Sequence, residues 1–400
     1  MTESRRLTST LTFLMAVGVG VMVANLYYLQ PVLHQVRDQF HVGSASASLL
    51  VVLTQAGYAL GLAFLVPLGD LFVRRRLITT MFIIAAATMG LAGLTTNFAA
   101  FTAICLLVGL TSVGTQLIIP FAADLAESAT RGRSIARVMS GLLSGILLSR
   151  TASGIVAQFF GWRAIYAIAA GALFVMALIL WRALPNEAPR ERLSYTQALG
   201  GSVRLFRELS LLRRRAWFGA LAFASLSCLW TTLSFRLSGA PFHYSNGVIG
   251  LFGLFGVAGI SAANAAGHLA DHARSRTATI AAASLVTASF AILWLGRDTV
   301  WLLALGVVAL DAGMQGMQIT NQSIIYALRP EARSRVNSAY MVSCFTGASL
   351  GSYAAGWLYA HFGWAGDCWL GVTVGLGMLL PALSSLNAAA PTEHVSLDLA

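Results

Sequence analysis

In residues 309–323, ALDAGMQGMQITNQS, an acid and three of the four amides recur at regular spacing within a largely apolar segment. Their spacing of i, i+4, i+7 and i+11 places the four side chains on one face of a helix: Asp311, Gln315, Gln318 and Gln322. A carboxyl group in a partly dry site can bind and release a proton near neutral pH. Asp311 is therefore the candidate proton carrier of this chain.

Arg150 is a second ionisable residue in an apolar stretch, GLLSGILLSRTASG at 141–154. A charged side chain at mid-membrane depth costs several kcal/mol unless it reaches water or a partner. Three roles are open for Arg150: a contact to an anionic group of a substrate, a tether to nearby backbone or side chains, or a permanent ion pair with Asp311. In the last case the acid would hold the structure together rather than carry a proton.

The elements that position these residues are predicted to be membrane helices. Hydrophobic residues make up 57% of the 400 residues and charged residues only 10%, whereas a soluble protein carries roughly a quarter charged residues. The mean hydropathy is +0.73, and apolar runs of about 20 residues, enough to cross a bilayer as helix, recur throughout. We predict an all-α membrane protein with twelve transmembrane spans: 11–33, 45–68, 77–97, 100–122, 135–159, 163–182, 215–237, 247–267, 277–296, 300–326, 336–359 and 366–388.

The basic residues predict how the chain is oriented in its membrane. All 26 are arginines, and all but five lie in or beside alternate loops, on the side that holds both termini. One exception, Arg150, is within a span, and four lie on the other side: Arg37, Arg163, Arg236 and Arg297. The positive-inside rule places both termini in the cytoplasm, and we expect the chain to cross a bacterial inner membrane. Anionic lipid headgroups account for the net charge of +11, so lipids are expected partners and nucleic acid is not.

No sequence motif indicates enzyme or cofactor chemistry. The cysteines fall in predicted spans without metal-ligand spacing, and buried thiols are expected there: Cys105, Cys228, Cys344 and Cys368. The glycine-rich run GLFGLFGVAG at 250–259 suits close helix packing in a membrane better than phosphate binding. We expect no catalytic residue, no metal and no cofactor.

The chain repeats itself at a shift of about 202 residues. FGW at 160–162 recurs at 362–364, and LGDLFVRRR at 68–76 aligns with LADHARSR at 269–276. Two parallel six-span repeats around a shared site are a transporter architecture. We predict a six-helix bundle over 1–185, a cytoplasmic linker with a possible amphipathic helix over 186–214, and a second six-helix bundle over 215–400, the two bundles being pseudo-symmetric.

The repeat also shows which polar residues the fold does not need. The same shift takes Arg150 to Ser352, and it takes the polar stripe to a set with one amide: Gly109, Val113, Gln116 and Pro120. The first copy thus builds its corresponding helix without an acid. The polar groups of the second copy therefore indicate work done in one half only.

The chain as a whole resembles the major facilitator superfamily, in the drug and sugar efflux branch that uses proton antiport. The hallmark loop of that family reads close to G-x-x-x-D-R-x-G-R-R, and VPLGDLFVRRR matches it at Asp70, Arg74 and Arg75. The second copy, GHLADHARSR, keeps Asp271 and Arg276, and ANLYYLQPVL at 24–33 resembles a signature of bacterial efflux proteins. The fifth span lacks the proline of the efflux motif, and the first loop departs at three positions: Val66, Leu71 and Val73.

The resemblance implies two groups of functional residues. In this family the first, fourth, seventh and tenth spans line a central cavity, and with the fifth span they supply the expected substrate residues: Asn25, Tyr28, Gln116, Arg150, Trp230, Gln315, Gln318 and Gln322. The hallmark loop implies a latch that shuts the cytoplasmic side: Asp70, Arg74, Arg75, Asp124, Asp271 and Arg276. Within it, Asp70 is expected to meet the positive end of the eleventh span, and Arg74 or Arg75 to reach Asp124.

The expected function is secondary transport by a monomer, in which two halves rock around a midplane site. The favoured activity is proton-coupled efflux of small organic molecules such as drugs, sugars or related metabolites. A proton-coupled importer of a nutrient or organic anion is the first alternative, which Arg150 favours. A non-transporting membrane sensor or scaffold is the second, and it leaves the polar stripe without a purpose.

Overall fold

The structure, a computed structural model, describes residues 7–127, 131–186, 195–256, 275–329 and 332–384. Within these ranges all regular elements are helical, and nine helices are long and apolar enough to cross a membrane. Short 3₁₀ segments cover Gln30–Val32, Val66–Asp70 and Phe252–Leu254. In chain order the α-helices are α1 (Ser9–Ala24), α2 (Leu33–Phe40), α3 (Ser44–Phe64), α4 (Arg74–Leu94), α5 (Phe98–Thr111), α6 (Gly114–Leu125), α7 (Arg131–Phe160), α8 (Trp162–Ala183), α9 (Tyr195–Glu208), α10 (Ser210–Ser238), α11 (Asn246–Leu251), α12 (Ser275–Leu295), α13 (Val300–Leu328) and α14 (Arg333–Ser384).

Two predicted spans share the longest helix, α14. Gly363 lies within it at φ 59° and ψ −150°, a conformation that glycine adopts without the steric cost other residues bear. The parts of α14 before and after Gly363 correspond to the predicted spans 336–359 and 366–388. The predicted span 247–267 begins at α11, and its remainder lies outside the described residues.

The fourth predicted span, 100–122, is divided into α5 and α6. Ser112 lies at the division, and its hydroxyl donates a 2.6 Å hydrogen bond to the carbonyl of Val108. Bonds of this kind compete with the helical backbone pattern. Pro120 inside α6 also lacks a backbone N–H. These residues give a local reason for the interruption, and the two parts still form one apolar segment that can cross a membrane.

Glycine contacts hold neighbouring helices close in each half of the chain. A Cβ on Gly145 of α7 would come within 2.4 Å of the carbonyl oxygen of Gly20 in α1. A Cβ on Gly347 of α14 would come within 2.2 Å of the carbonyl oxygen of Ala220 in α10. Gly145 and Gly347 are equivalent at the 202-residue shift, so the same helix contact occurs twice. The domain boundaries at 185 and 215 stay a prediction.

The two ends of the helix bundle are distinguished by their charge. We call the end with the first turns of α4, α7 and α10 the arginine-rich end, and the end with α2 and α11 the opposite end. At the opposite end, Asn246 donates a 2.9 Å hydrogen bond to Gln35, and the amide of Gly247 donates a 3.1 Å bond to Gln158. These bonds join α2 and α7 to α11, so the opposite end is closed on this side.

A second seam between the halves runs along α3 and α14. Ser338 donates a 3.2 Å hydrogen bond to the carbonyl of Leu62, and Ser349 donates a 3.1 Å bond to the carbonyl of Val52. The serine hydroxyls thereby bond across the seam to helix backbone, as small polar residues do in membrane interiors. The central polar residues lie between this seam and the contact of α7 with α11.

Candidate functional site

The guanidinium of Arg150 lies at the centre of the interface between the halves. Arg150 is 3% exposed, and its Nε donates a 2.8 Å hydrogen bond to Oε1 of Gln30. Its Cζ lies 3.8 Å from the ring centroid of Trp230 and 4.9 Å from that of Tyr27. A cation held against two aromatic faces gains cation–π attraction, which is larger for desolvated groups. Arg150 is therefore tethered by an amide and two rings from two other segments, the end of the first span and α10.

Glycines of the second half allow the chain to come close to Arg150. A Cβ on Gly253 would lie 2.9 Å from Cβ of Arg150, and a Cβ on Gly250 would lie 2.8 Å from its carbonyl oxygen. Next to them, Thr151 donates a 3.1 Å hydrogen bond to the carbonyl of Gly250. The start of the eighth span thus packs directly on α7 at the depth of the buried cation.

Asp311 of α13 is buried near this cation but does not pair with it. The residue is 8% exposed, and its Oδ2 is buried without a hydrogen-bond partner. Gly256 lies beside it, where a Cβ would come within 3.0 Å of Oδ2. Asp311 interacts electrostatically with Arg150 and Tyr27, yet no ion pair joins it to any residue that the structure describes. The permanent Arg150–Asp311 ion pair, one of three roles open from the sequence, is therefore absent from this conformation.

A small cavity separates the central side chains. Its volume is about 10 Å³, close to the minimum needed for one water molecule. Polar and aromatic groups from both halves line it: Tyr27, Gln30, Gln55, Arg150, Phe223, Ser227 and Phe345. In this conformation the site is contracted, and a solute requires the halves to separate.

Gln55 of α3 connects the two halves beside this cavity. Its Nε2 donates a 3.0 Å hydrogen bond to Ser227 of α10, and its Oε1 accepts a 3.0 Å bond from Ser352 of α14. Ser352 in turn accepts a 3.0 Å bond from Thr231. Ser352 is the repeat equivalent of Arg150, so the two halves place a hydroxyl and a cation at corresponding positions.

Tyr27, Gln30 and Gln55 were not among the predicted cavity residues, although their side chains surround Arg150. Tyr27 and Gln30 are three residues apart, a spacing that puts them on a common helical face. The prediction instead paired Asn25 with Tyr28, which have the same spacing. The segment ANLYYLQPVL therefore contains two polar or aromatic pairs at the same helical spacing, and spacing alone does not decide which pair faces the site.

The predicted first-half residues Asn25 and Gln116 form hydrogen bonds with partners other than Arg150, and the predicted residue Tyr28 forms no side-chain hydrogen bond with Arg150. Asn25 is 4% exposed and donates a 3.4 Å hydrogen bond to Ser112. Gln116 donates a 3.1 Å bond to the hydroxyl of Tyr58. These bonds run within the first half of the chain, so a substrate contact by either amide requires a different conformation.

The polar stripe of α13 is divided between two settings. Asp311 lies at the central interface, whereas Gln318 accepts a 2.7 Å hydrogen bond from the hydroxyl of Tyr340 in α14. Gln315 and Gln322 are half-buried and form no hydrogen bond with the part of the chain that the structure describes. Their contact with a substrate stays a prediction.

At the arginine-rich end, the predicted latch residues also differ in their contacts. Arg74 forms an ion pair with Asp124, and its Nε donates a 3.2 Å bond to the carbonyl of Gly69. Arg75 instead lies over the ring of Trp181, with 4.6 Å between its Cζ and the ring centroid. Of the remaining latch candidates, Arg276 lies in the first turn of α12, whereas the side chain of Asp70 and all of Asp271 lie outside the described residues.

A wider groove of about 780 Å³ runs along α1 and α7. Tyr28 and Leu148 line it, and Leu148 is 59% exposed. Because Leu148 precedes Arg150 by two residues, the two side chains point about 200° apart around α7. The groove therefore opens on the side of α7 that faces away from Arg150.

Comparison with known sequences identifies the kind of protein to which these features belong. The sequence profile described as Major Facilitator Superfamily matches residues 12–327 and 241–397. The Escherichia coli protein named "Uncharacterized transporter YgaY" is 43% identical over 377 residues, covering 94% of this chain and 96% of that protein. The "Probable transporter SCO4007" of Streptomyces coelicolor is 31% identical over 361 residues, covering 89% of this chain and 83% of that protein.

Solved structures share the same architecture at low sequence identity. A crystal structure of the nucleoside transporter NupG superposes with a TM-score of 0.78 at 12% identity, covering 93% of this chain and 99% of that one. A crystal structure of a D-xylose-proton symporter superposes with a TM-score of 0.73 at 14% identity, covering 96% of this chain and 98% of that one. At these identities the likeness establishes the fold and leaves the substrate open.

Proposed function

The chain belongs to the major facilitator superfamily, and we propose that it moves small organic molecules out of a bacterial cell in exchange for protons. Its all-α membrane fold is that of the superfamily, as the sequence predicted. It is a multi-pass membrane protein of the transporter type, so the non-transporting sensor or scaffold loses its support. The coupling, the direction and the substrate class are inferred from the central residues.

One observation carries the proton coupling: Asp311 is buried between the halves with a carboxylate oxygen that has no partner. Ionised carboxylates are costly to bury without a partner, so binding of a proton is favoured while the site is contracted. When either end opens, water reaches the carboxyl and ionisation becomes less costly. Opening of the site to water therefore changes the protonation of Asp311.

The contacts at the two ends support rocking of the halves around this residue. The hydrogen bonds of Asn246 with Gln35 and of Gly247 with Gln158 close the opposite end. In our proposal the arginine-rich end faces the cytoplasm, and the Arg74–Asp124 ion pair belongs to its latch. A proton enters from outside and binds Asp311, the halves rock to open the cytoplasmic side, and the proton leaves as substrate is taken up. Substrate-loaded halves then rock back and release their cargo outside.

Arg150 favours a second candidate, the proton-coupled import of an organic anion. Its terminal guanidinium nitrogens form no hydrogen bond or ion pair with the described residues, although its Nε is held by Gln30. A guanidinium oriented in this way can bind a carboxylate or phosphate through two parallel bonds. In this candidate the anion of the substrate would complete the coordination of Arg150 after the halves separate.

The direction of proton movement distinguishes the two candidates. Compounds are first screened for a difference in accumulation between cells that express the protein and cells that express Asp311→Asn. Purified protein is then reconstituted in vesicles that contain a pH-sensitive dye, and a compound from the screen is added outside. Antiport moves protons outward as the compound enters, and symport moves them inward with it. Transport of the compound without any proton movement would contradict proton coupling in both forms.

A further inference from the structure

A second buried acid, Asp367, lies in the part of α14 that follows Gly363. Asp367 is 0% exposed, and both of its carboxylate oxygens are buried without a hydrogen-bond partner. It is the second residue of the predicted span 366–388, and an acid near a helix end is usually solvated. Its repeat equivalent is Ile165, so the fold does not require an acid at this position.

The groups around Asp367 do not neutralise it. Cys228 and Thr232 face it from α10, Tyr359 faces it from the preceding part of α14, and Cys368 is its neighbour in the chain. The cation nearest to this group along α10 is Arg236, which also acts on Tyr359 and Cys368. The guanidinium of Arg236 is directed elsewhere, with a 2.9 Å bond to Asp298 and a 3.0 Å bond to the carbonyl of Ala240.

The other packed elements add two cations, and neither of them pairs with Asp367. Within the described residues, the only charged group of α12 is Arg276 in its first turn, at the far end of that helix. From the first half of the chain, Arg37 of α2 acts on Tyr359. Its own ion pair is with Asp38, at 2.7 Å. No described cation is therefore available to an ionised Asp367 in this conformation.

The hydrogen bonds of the Thr232 hydroxyl bear on whether Asp367 is protonated or ionised. It donates to the backbone, with 3.2 Å to the carbonyl of Cys228 and 3.5 Å to that of Leu229. In that geometry Thr232 offers lone pairs to the carboxyl beside it, whereas a hydroxyl turned toward Asp367 would donate to the carboxylate and favour the ionised form. A protonated Asp367 can donate to those lone pairs, whereas an ionised one would face an acceptor in a dry site. We propose that Asp367 is a second proton-binding site, occupied by a proton while the opposite end is closed.

Contacts at the opposite end explain how this proton would act on conformation. The ring of Tyr359, beside Asp367, lies 5.6 Å from that of Phe235, and Phe235 lies 5.2 Å from Cζ of Arg37. Arg37 belongs to the first half of the chain and Phe235 to the second, so this contact is part of the closed interface. Separation of the halves would remove Arg37 from the cluster and admit water toward Tyr359. Protonation of Asp367 therefore stabilises the closed end, and ionisation favours its opening.

Cysteine cross-linking at the closed end measures this linkage in the full-length protein. Gln35→Cys and Asn246→Cys replace side chains whose polar atoms are 2.9 Å apart, and the four native cysteines are buried. For linkage to one proton, the ratio of closed to open protein falls by up to about tenfold per unit of rising pH. We expect this fall in the otherwise wild-type protein and in Asp311→Asn. We expect a smaller fall in Asp367→Asn, which keeps the response of Asp311, and a high, pH-independent cross-linking yield when Asp367→Asn is combined with Asp311→Asn.

Each outcome of that experiment decides the proposal. A pH response in Asp367→Asn equal to that of the wild type overturns it. So does a response that Asp311→Asn alone abolishes, because the proton then acts at the central acid. Retention of the response in Asp311→Asn together with its loss when Asp367→Asn is added supports Asp367 whatever the outcome for the proposed role of Asp311.

Infrared spectroscopy keeps the proposal testable if Asp367→Asn does not fold. In an Asp311→Asn background, Asp367 is expected to give the absorption band of a protonated carboxyl group. Asp367→Glu retains an acid and should shift that band while preserving the pH response of cross-linking. A spectrum in which Asp367→Glu shifts no protonated-carboxyl band would show that the acid is ionised, and would overturn the proposal.

Discussion

Arg150 donates its Nε hydrogen to Gln30 at 2.8 Å and leaves the nearby carboxyl of Asp311 without an ion pair. A cation and an acid that remain apart at membrane depth are both costly. Each of them stays available to a partner from outside the chain, such as an anionic group for Arg150 and a proton for Asp311. This separation is the structural basis of the proposed transport cycle.

The geometry of Arg150 predicts that a lysine cannot replace it. Arg150→Lys keeps the charge but loses the Nε bond to Gln30 and the planar group that lies 3.8 Å from the centroid of Trp230. We expect the apparent affinity for a transported compound to fall about tenfold, which corresponds to ~1.4 kcal/mol of binding free energy. Concentration-dependent uptake into vesicles measures this change.

Arg163→Lys is the matched control for that variant. Arg163 also lies over a tryptophan, with 4.4 Å between its Cζ and the centroid of Trp162, but it begins α8 outside the central site. Its substitution should leave the affinity unchanged. Equal affinities in Arg150→Lys and Arg163→Lys would argue against a substrate role for the guanidinium of Arg150.

The close contact of α1 with α7 predicts a large difference between two glycine substitutions. Gly145→Ala would place a Cβ 2.4 Å from a backbone oxygen of Gly20, whereas Gly171 in α8 has no atom within 4 Å of the corresponding position. We expect Gly145→Ala to destabilise the protein by about 1–3 kcal/mol through overpacking. Gly171→Ala should be neutral or stabilising by up to ~1 kcal/mol because alanine favours helix. Thermal unfolding in detergent compares the two, and equal melting temperatures would contradict the packing shown by the structure.

The latch arginines are expected to differ in their coupling to Asp124. Arg74 pairs with Asp124 while Arg75 lies over Trp181. A double-mutant cycle with Arg74→Ala and Asp124→Asn should give a coupling energy of about 0.5–1 kcal/mol in thermal stability. The same cycle with Arg75→Ala should give a value near zero. A larger coupling for Arg75 than for Arg74 would reverse this assignment.

The helices were predictable from the sequence because bilayer thickness fixes the length of an apolar span. The structure confirms an all-α membrane fold, and it departs from the predicted spans where single residues act locally. Ser112 interrupts the fourth span through its own backbone bond, and this depends on a rotamer that spacing does not reveal. Gly363 turns the chain between the last two spans, in the gap between the predicted spans 336–359 and 366–388.

The site was less predictable than the helices. Helical spacing shows which residues share a face of a helix, but it does not show which other helix or cavity that face contacts. Asn25 and Tyr28 share one face of the first span and Tyr27 and Gln30 share another, and only the packing of α7 selects the second pair. Burial of Asp367 likewise depends on how α10 and the two parts of α14 meet, which sequence position alone does not specify. The predicted roles of the site residues remain predictions, and the structure supplies the contacts with which to test them.

Proton-coupled transport by Asp311→Asn is the most direct test of the account, with Asp38→Asn as its control. Asp38 lies at the opposite end, its side chain is 61% exposed, and it pairs with Arg37 at 2.7 Å. Vesicles with an imposed pH gradient report whether compound flux follows that gradient. We expect the gradient to drive accumulation of the compound in the wild type and in Asp38→Asn. We expect Asp311→Asn to exchange compound without gradient-driven accumulation, while its exchange rate still varies with pH through Asp367. Flux in Asp311→Asn that still follows the pH gradient as in the wild type would contradict the central claim.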